Sequence, residues 1–523
     1  MTLDMLSLMR SSRLDRRGFL TGLGGMGLAM ALPGQVLAQQ GTPKQGTPKR
    51  GGTLVVAFAG GVDSLDPHKT IAAQGQQVAL AIFDGLTELG PDKLPLPRLA
   101  TSWKAEKDGE EWVFFLREGV KFHDGAPFTS ADVVATVERS FDNSKGLRSK
   151  GAFGPVKEVR AEGPHAVRLI MTQPCAETPA LVANRWAMIA SAASLDKLET
   201  APVGTGPFRF VSFEPGASVT LARNDNYWIP ELPYVNGLKI VAISQSVAQQ
   251  AALRSGDVHI VEFLSSDSYL TLQKTTGVKA YSVPVGQYHT LMTNASIAPF
   301  DNLKVREAFR YIIDRKTLLA SALLGQGIIG NDVTLIKGNA YLTDFSQNDQ
   351  DLPRARKLLD EAGIKDLAVE VFVSSDRQPT PKIGVALQQG ASKIGVNITI
   401  RDVPFTEYAA NVARKKALYT SQWNERATLY EALYQIYHSK QPFNYSGVEL
   451  AQGLDAQLES LIAELDLEKR KALAAQALEK IHLYGDRIIP YFMNYMCATS
   501  DKVAGYEPPT NGISDLRRVW LNT

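Results

Sequence analysis

The sequence predicts a mixed α/β protein whose residues fold into two or three packed lobes. Short β-rich runs alternate with runs of helical period, and no segment repeats at a fixed spacing, so a solenoid or an all-β sandwich is excluded. The chain has 523 residues, too many for one ordinary hydrophobic core. Its 44% hydrophobic and 21% charged residues are those of a folded protein, and its net charge of +2 offers no polybasic surface to nucleic acid.

The first element is an address. Asp15-Arg16-Arg17-Gly18-Phe19-Leu20 opens an uncharged Gly/Ala/Leu/Met-rich run that ends at Val36-Leu37-Ala38. This reads as a twin-arginine signal peptide over residues 1–38: the core is too short and too weakly apolar to span a bilayer, and Ala38 sits at the small-residue cut. Five glycines between Gly22 and Gly34 argue against a stable anchor helix. Residues 39–50 are a flexible Gly/Thr/Pro/Lys linker, and the mature protein is expected to be periplasmic, without a membrane span.

Residues 53–59 (TLVVAFA) form a buried-strand run. Residues 74–86 place Val78, Ile82, Phe83 and Leu86 at helical spacing, with Gly85 unwinding the end. Residues 112–117 and 167–171 alternate as strands, and 129–141 is a helix announced by Thr129, Ser130 and Asp132. Residues 304–324 and 353–362 are amphipathic helices, the second opened by Pro353 and closed by Gly363. Residues 456–484 read as one long charged helical stretch. Cys175 and Cys497 cannot make a disulfide framework; an oxidising compartment permits one bridge, and two unpaired buried thiols are the expectation.

Several fragments stand in a telling order. They are Leu65-Asp66-Pro67, Phe83-Asp84-Gly85-Leu86, Leu99-Ala100-Thr101-Ser102-Trp103, Leu116 through Gly125 (LREGVKFHDG), Asp132-Val133-Val134, Pro202 through Phe208 (PVGTGPF), Asn224-Asp225-Asn226-Tyr227-Trp228, Leu253-Arg254-Ser255-Gly256-Asp257-Val258, Val305-Arg306-Glu307-Ala308, Ile313-Asp314-Arg315 and Ala355 through Gly363 (ARKLLDEAG). Together they resemble the ABC-transporter solute-binding proteins of family 5, the dipeptide, oligopeptide, nickel and opine binding group. The resemblance implies a two-lobed periplasmic binding protein fold of type II, large cluster, with a ligand cleft between lobes and an extra subdomain. It implies lobe I from 51–82, 203–270 and 490–523, the subdomain from 83–202 packed on lobe I, and lobe II from 271–489. The implied partners are a small solute (a peptide, opine or related anionic compound) and an inner-membrane ABC permease, with the protein a monomer, without cofactor, catalytic residues or metal.

Several motifs have a purely architectural reading. Asp124-Gly125 reads as a turn supplying positive φ, and Gly204-Thr205-Gly206-Pro207 as a close backbone crossing that lacks the spacing of a dinucleotide site. His123 has no second ligand at zinc spacing. An exported hydrolase would need a GxSxG elbow, a zinc helix or an SxxK serine, and none stands in a convincing context; Ser265 and its neighbours read as a loop or helix cap. An envelope chaperone or sensor on the same fold is the other alternative.

The ligand-selecting segment is Tyr419 through Arg426 (YTSQWNER). Peptide-binding members of the resembled family carry a tryptophan and, three residues on, an aspartate that pairs with the peptide ammonium. Here Trp423 matches the tryptophan and Arg426 stands at the aspartate position. A guanidinium repels an ammonium and offers a carboxylate two parallel hydrogen bonds, so the resemblance implies an anionic or polar contact there. The same resemblance places Tyr437, Asn444, Tyr288 and His289 at the cleft as ligand-binding residues.

Overall fold

The computed structural model describes residues 46–522, so the signal peptide and most of the linker lie outside the described residues. Among the described residues, eleven strands form one sheet. They are β1 (Thr53–Phe58), β2 (Phe208–Glu214), β3 (Ser218–Arg223), β4 (Gly237–Ala242), β5 (Ile260–Val261), β6 (Val278–Thr293), β7 (Gly327–Ile329), β8 (Leu367–Val373), β9 (Val396–Asp402), β10 (Leu418–Trp423) and β11 (Arg487–Ser500). The order across the sheet is β9-β8-β10-β6-β11-β5-β1-β4-β3-β2, with β7 pairing β11 off this path. β1 lies parallel to β4 and β5 and is apolar on both faces: Leu54, Val56 and Phe58 enter one cluster and Ala57 another.

β6 and β11 are the long members. They pair antiparallel from Val278↔Ser500 to Met292↔Arg487, with a register slip between Pro284 and Tyr288. Proline donates nothing to a ladder, and Gly286 inside the slip leaves the space that Glu425 fills: a Cβ there would stand 2.5 Å from Glu425 Cγ. Along their length these strands pass from one core to the next. Tyr495 and Cys497 pack with β1, whereas Leu291, Ile488 and Tyr491 pack with the helices of residues 303–323 and 355–391. Tyr288, Ile489 and Phe492 enter a third cluster, which joins side chains between residues 86 and 189 to side chains between residues 333 and 481.

A separate antiparallel sheet of Ala100–Glu106, Glu111–Leu116, Ala166–Met171 and Val156–Ala161 carries the helix Ser130–Ser140. Thr129 and Asp132 close that helix's N-terminus as a capping box, a device worth about 1 kcal/mol.

Several of the sequence motifs meet one another. The buried Asp84 carboxylate pairs with Arg98 and accepts hydrogen bonds from Thr205 Oγ1 (2.9 Å) and Trp228 Nε1 (2.9 Å). Gly204 and Gly206 cross directly under the end of the helix Ala73–Ile82, where a Cβ on Gly204 would lie 2.1 Å from the Ile82 carbonyl oxygen. His123 braces the crossing by donating from Nε2 to the Gly206 carbonyl at 3.0 Å and from its backbone N–H to the Gly204 carbonyl at 3.0 Å. Gly125 has φ +89°, as the Asp-Gly turn requires.

Three helices end earlier than their apolar period suggests. The first stops at Ile82 because Phe83 turns extended (φ −122°, ψ 159°) to deliver Asp84 to its partners. Residues 304–324 divide into Leu303–Arg310 and Arg315–Leu323, since Asp314 accepts from Thr317 N at 3.0 Å and starts a new helix. Residues 456–484 divide likewise into Leu454–Ala463 and Leu467–Tyr484, with Asp466 accepting from Lys469 N at 2.9 Å. Ser265 caps the helix Ser266–Leu272, and Cys175 and Cys497 are free and buried.

The deepest ionic knot sits beside β11. Asp332, wholly buried, takes Arg315 in a bidentate grip (3.0 and 2.8 Å), Arg310 at 3.2 Å, Asn348 Nδ2 at 2.8 Å and the Ile489 N–H at 2.8 Å.

Candidate functional site

β10 ends on Trp423, and the chain then leaves the sheet through Asn424, Glu425 and Arg426 into the wall of a cavity of about 360 Å³. The facing wall is residues 183–186, which follow the short helix Thr178–Leu181, together with Met188. Phe443 and Tyr445 close a third side. The volume falls at the small end of the roughly 300–1,000 Å³ typical of small-molecule sites.

Trp423 is the centre of an aromatic floor. Its ring stands edge-on to Phe443 (centroids 5.8 Å, 86°) and tilted against Tyr445 (5.3 Å). Behind it the buried Arg487 guanidinium lies 4.6 Å from the Trp423 centroid and donates from Nη2 to the Phe443 carbonyl at 2.8 Å, so one side chain fixes both rings. Arg426 lies over Phe443 at 4.3 Å and near Trp423 at 5.8 Å. Among the described residues it has no carboxylate within 4 Å.

Each of the cavity's two carboxylates has a partner, although Glu425 Oε2 is buried without one. Glu425 pairs with Lys93 at 2.8 Å, and Lys93 Nζ also donates to the Thr510 carbonyl at 3.1 Å. Glu431 accepts from Asn184 Nδ2 at 3.0 Å and Thr428 Oγ1 at 3.2 Å. On the facing wall Arg185 lies over Trp186 at 5.3 Å and donates to Gln76 Oε1 at 2.8 Å. Burial pushes its guanidinium below the usual arginine range against the pull of Glu431 and Glu425, and the Arg426 charge adds a smaller push in the same direction as burial.

Of the residues singled out in the sequence, Trp423 and Arg426 line this cavity together. The other four are not among its lining residues. Tyr288 pairs directly with Trp423 across β6 and β10, but its ring is buried against Phe492 at 5.5 Å and burial pushes its phenol up to about 12. Tyr437 is fully buried, 5.4 Å from the Arg487 guanidinium. Asn444 spends its side chain on backbone: Nδ2 donates to the Tyr437 and Val448 carbonyls (3.1 and 3.0 Å) and Oδ1 accepts from Gly447 N (2.9 Å). It thereby shapes the loop that presents Phe443 and Tyr445. The residues that sequence reasoning missed are Arg185, Trp186 and Glu425. Their signal was an Arg-Trp pair interrupting the apolar run 180–190, and an acidic residue one position before Arg426.

His289 belongs to the core. It is fully buried with its ring beside Tyr491 (5.8 Å), neither ring nitrogen has a hydrogen-bond partner, and burial lowers its imidazole to about 4. Between pH 6.5 and about 4 the unfolded chain therefore takes up a proton that the folded chain refuses, so this residue's contribution falls as the pH drops. The loss at pH 5 is about 2 kcal/mol. His289→Phe is expected to lessen the drop in denaturant midpoint between pH 7 and pH 5; an unchanged drop would contradict the assignment.

The family model for bacterial extracellular solute-binding proteins, family 5 (middle region), matches residues 95–444. The chain belongs to this family. The glutathione-binding protein GsiB of Escherichia coli (strain K12) is 26% identical over 367 residues, covering 69% of this chain and 72% of GsiB. The structure resembles that of AgaA in complex with agropinic acid from A. tumefaciens R10 (TM-score 0.73, 23% identity, 90% of this chain and 99% of AgaA). It also resembles the ABC transporter-associated periplasmic binding protein DppA from Helicobacter pylori in complex with the peptide STSA (TM-score 0.74, 24% identity, 91% and 99%). The chain is thus an extracellular solute-binding protein. No helix among its described residues is long and apolar enough to cross a membrane.

Proposed function

We propose that this solute-binding protein acts as a periplasmic monomer whose leader, cut near Ala38, is exported by the twin-arginine route, and that its 360 Å³ cavity is the solute site. The solute is small and anionic, a peptide-, opine- or amino-acid-derived compound, and Arg426 holds its acid group. The observation that carries this reading is Arg426 itself: a guanidinium lying over Phe443 and Trp423, facing a cavity whose carboxylates are taken by Lys93, Asn184 and Thr428. Stacking holds the guanidinium plane and leaves its N–H edges free for a carboxylate. β6 and β11, passing from one core to the next, would act as the hinge strands between lobe I (51–82, 203–270, 490–523) and lobe II (271–489), with 83–202 as the subdomain.

The test is a thermal-shift screen of the mature protein against peptides, opines and other amino-acid-derived acids, followed by small-angle scattering. A solute at 100 times its Kd raises stability by about 2.7 kcal/mol, and the bound form is expected to have the smaller radius of gyration. An unchanged radius at saturation would exclude closure, and a preference for cationic or neutral solutes would exclude the anionic reading.

A further inference from the structure

Two guanidiniums, not one, face the cavity. Arg426 comes from the segment after β10 and Arg185 from the segment after the helix Thr178–Leu181, and both line the same space. Each lies beside an aromatic ring, Phe443 at 4.3 Å and Trp186 at 5.3 Å. Arg185 is further braced by Gln76, itself 96% buried, at 2.8 Å. Among the described residues neither arginine has a carboxylate within 4 Å, because Glu425 is drawn to Lys93 and Glu431 to Asn184 and Thr428. Like charges lining one small space repel, and filling that space with a neutral body would strip both of water and leave them unpaired.

We propose that Arg185 is a second specificity-determining residue and that the solute carries two carboxylates, one for each arginine, together with one protonated amine. The inference rests on the reading of this cavity as the solute site. The amine follows from charge: Lys93, Arg185 and Arg426 against Glu425 and Glu431 sum to +1, so a solute of net charge −1 neutralises the filled site. Two carboxylates and one amine carry that charge. The small cavity suits a compound of a few amino-acid units and not a long peptide.

Calorimetric titration tests this with two probes of the right charge, glutathione and an N-(1-carboxyethyl) amino acid, each alongside its monoesters. At least one diacid is expected to bind the parent protein, and each monoester to bind about 30-fold or more weaker. Arg185→Gln is expected to cost the diacid about the same factor and to bind diacid and one monoester equally; Arg426→Gln should lose discrimination against the other monoester. Arg185→Lys, which keeps the charge but not the planar fork, should also weaken the diacid, and it decides the matter if the Gln variant fails to fold. Failure of both diacids to bind overturns the proposal, as does an Arg185 variant that binds the better diacid like the parent. If Arg426→Gln alone weakens binding, the anionic-solute reading stands and the two-carboxylate inference falls.

Discussion

Arg426→Ala is expected to weaken an anionic solute by about 2 to 5 kcal/mol, or roughly 30-fold to several thousand-fold in Kd. The magnitude follows from what surrounds the side chain. In the filled cavity the guanidinium and the solute's acid group would be desolvated together between Phe443, Trp423 and the facing wall, and removing one of them strands the other. Trp423→Ala is the companion measurement: it removes the floor and should weaken every solute irrespective of charge. Calorimetry on both, with an acid and its neutral amide, separates the two effects. The Arg426 variant should lose the preference for the acid, whereas the Trp423 variant should lose affinity and keep the preference. An Arg426→Ala protein that binds the acid as tightly as the parent would refute the role.

Asp332→Ala is expected to cost about 3 to 5 kcal/mol of folding stability without touching the cavity. Asp332 is the shared counter-charge of Arg310 and Arg315, all three fully buried, and it also accepts from Asn348 and the Ile489 backbone. Truncation leaves two guanidiniums without their anion in the core, a large fraction of the roughly 5–15 kcal/mol that holds a protein folded. The melting temperature should fall by many degrees or the folded protein fail to accumulate. Unchanged melting would show that water or backbone carbonyls already carry the two charges.

The family and the fold class were legible in the sequence, and of the six residues singled out there, Trp423 and Arg426 line the cavity. Motif order carried the family, and the structure brings Asp84, Gly204, Gly206, Tyr227 and Trp228, spread over three of those fragments, into one packed cluster. Trp423 and Arg426 were found through one local pattern at a strand end. Asn444 and Tyr437 lie close in sequence to cavity residues, and Tyr288 and His289 stand on the strand paired with β10, yet all four are buried away from the cavity lining; neighbours along the chain do not say on which side a residue falls. Arg185 was invisible for the opposite reason: its cavity role comes from a segment more than 200 residues away from Arg426 in sequence, and only the fold brings the two together. Helix breaks at Asp314 and Asp466 escaped because apolar spacing continues across them while a single carboxylate restarts the backbone.

The place of β11 in the sheet sets the order in which a newly made chain can be completed. This strand follows every other strand of the sheet along the chain, yet it lies between β6 and β5 and so separates the two halves of the sheet that precede it. Until residues 487–500 are in place, β5 and β6 present open edges, and neither half can acquire its final neighbours. Each nascent molecule therefore waits, with the central seam of its sheet unfilled, for this one strand. The interval between translation and completion is when it depends most on protection from aggregation.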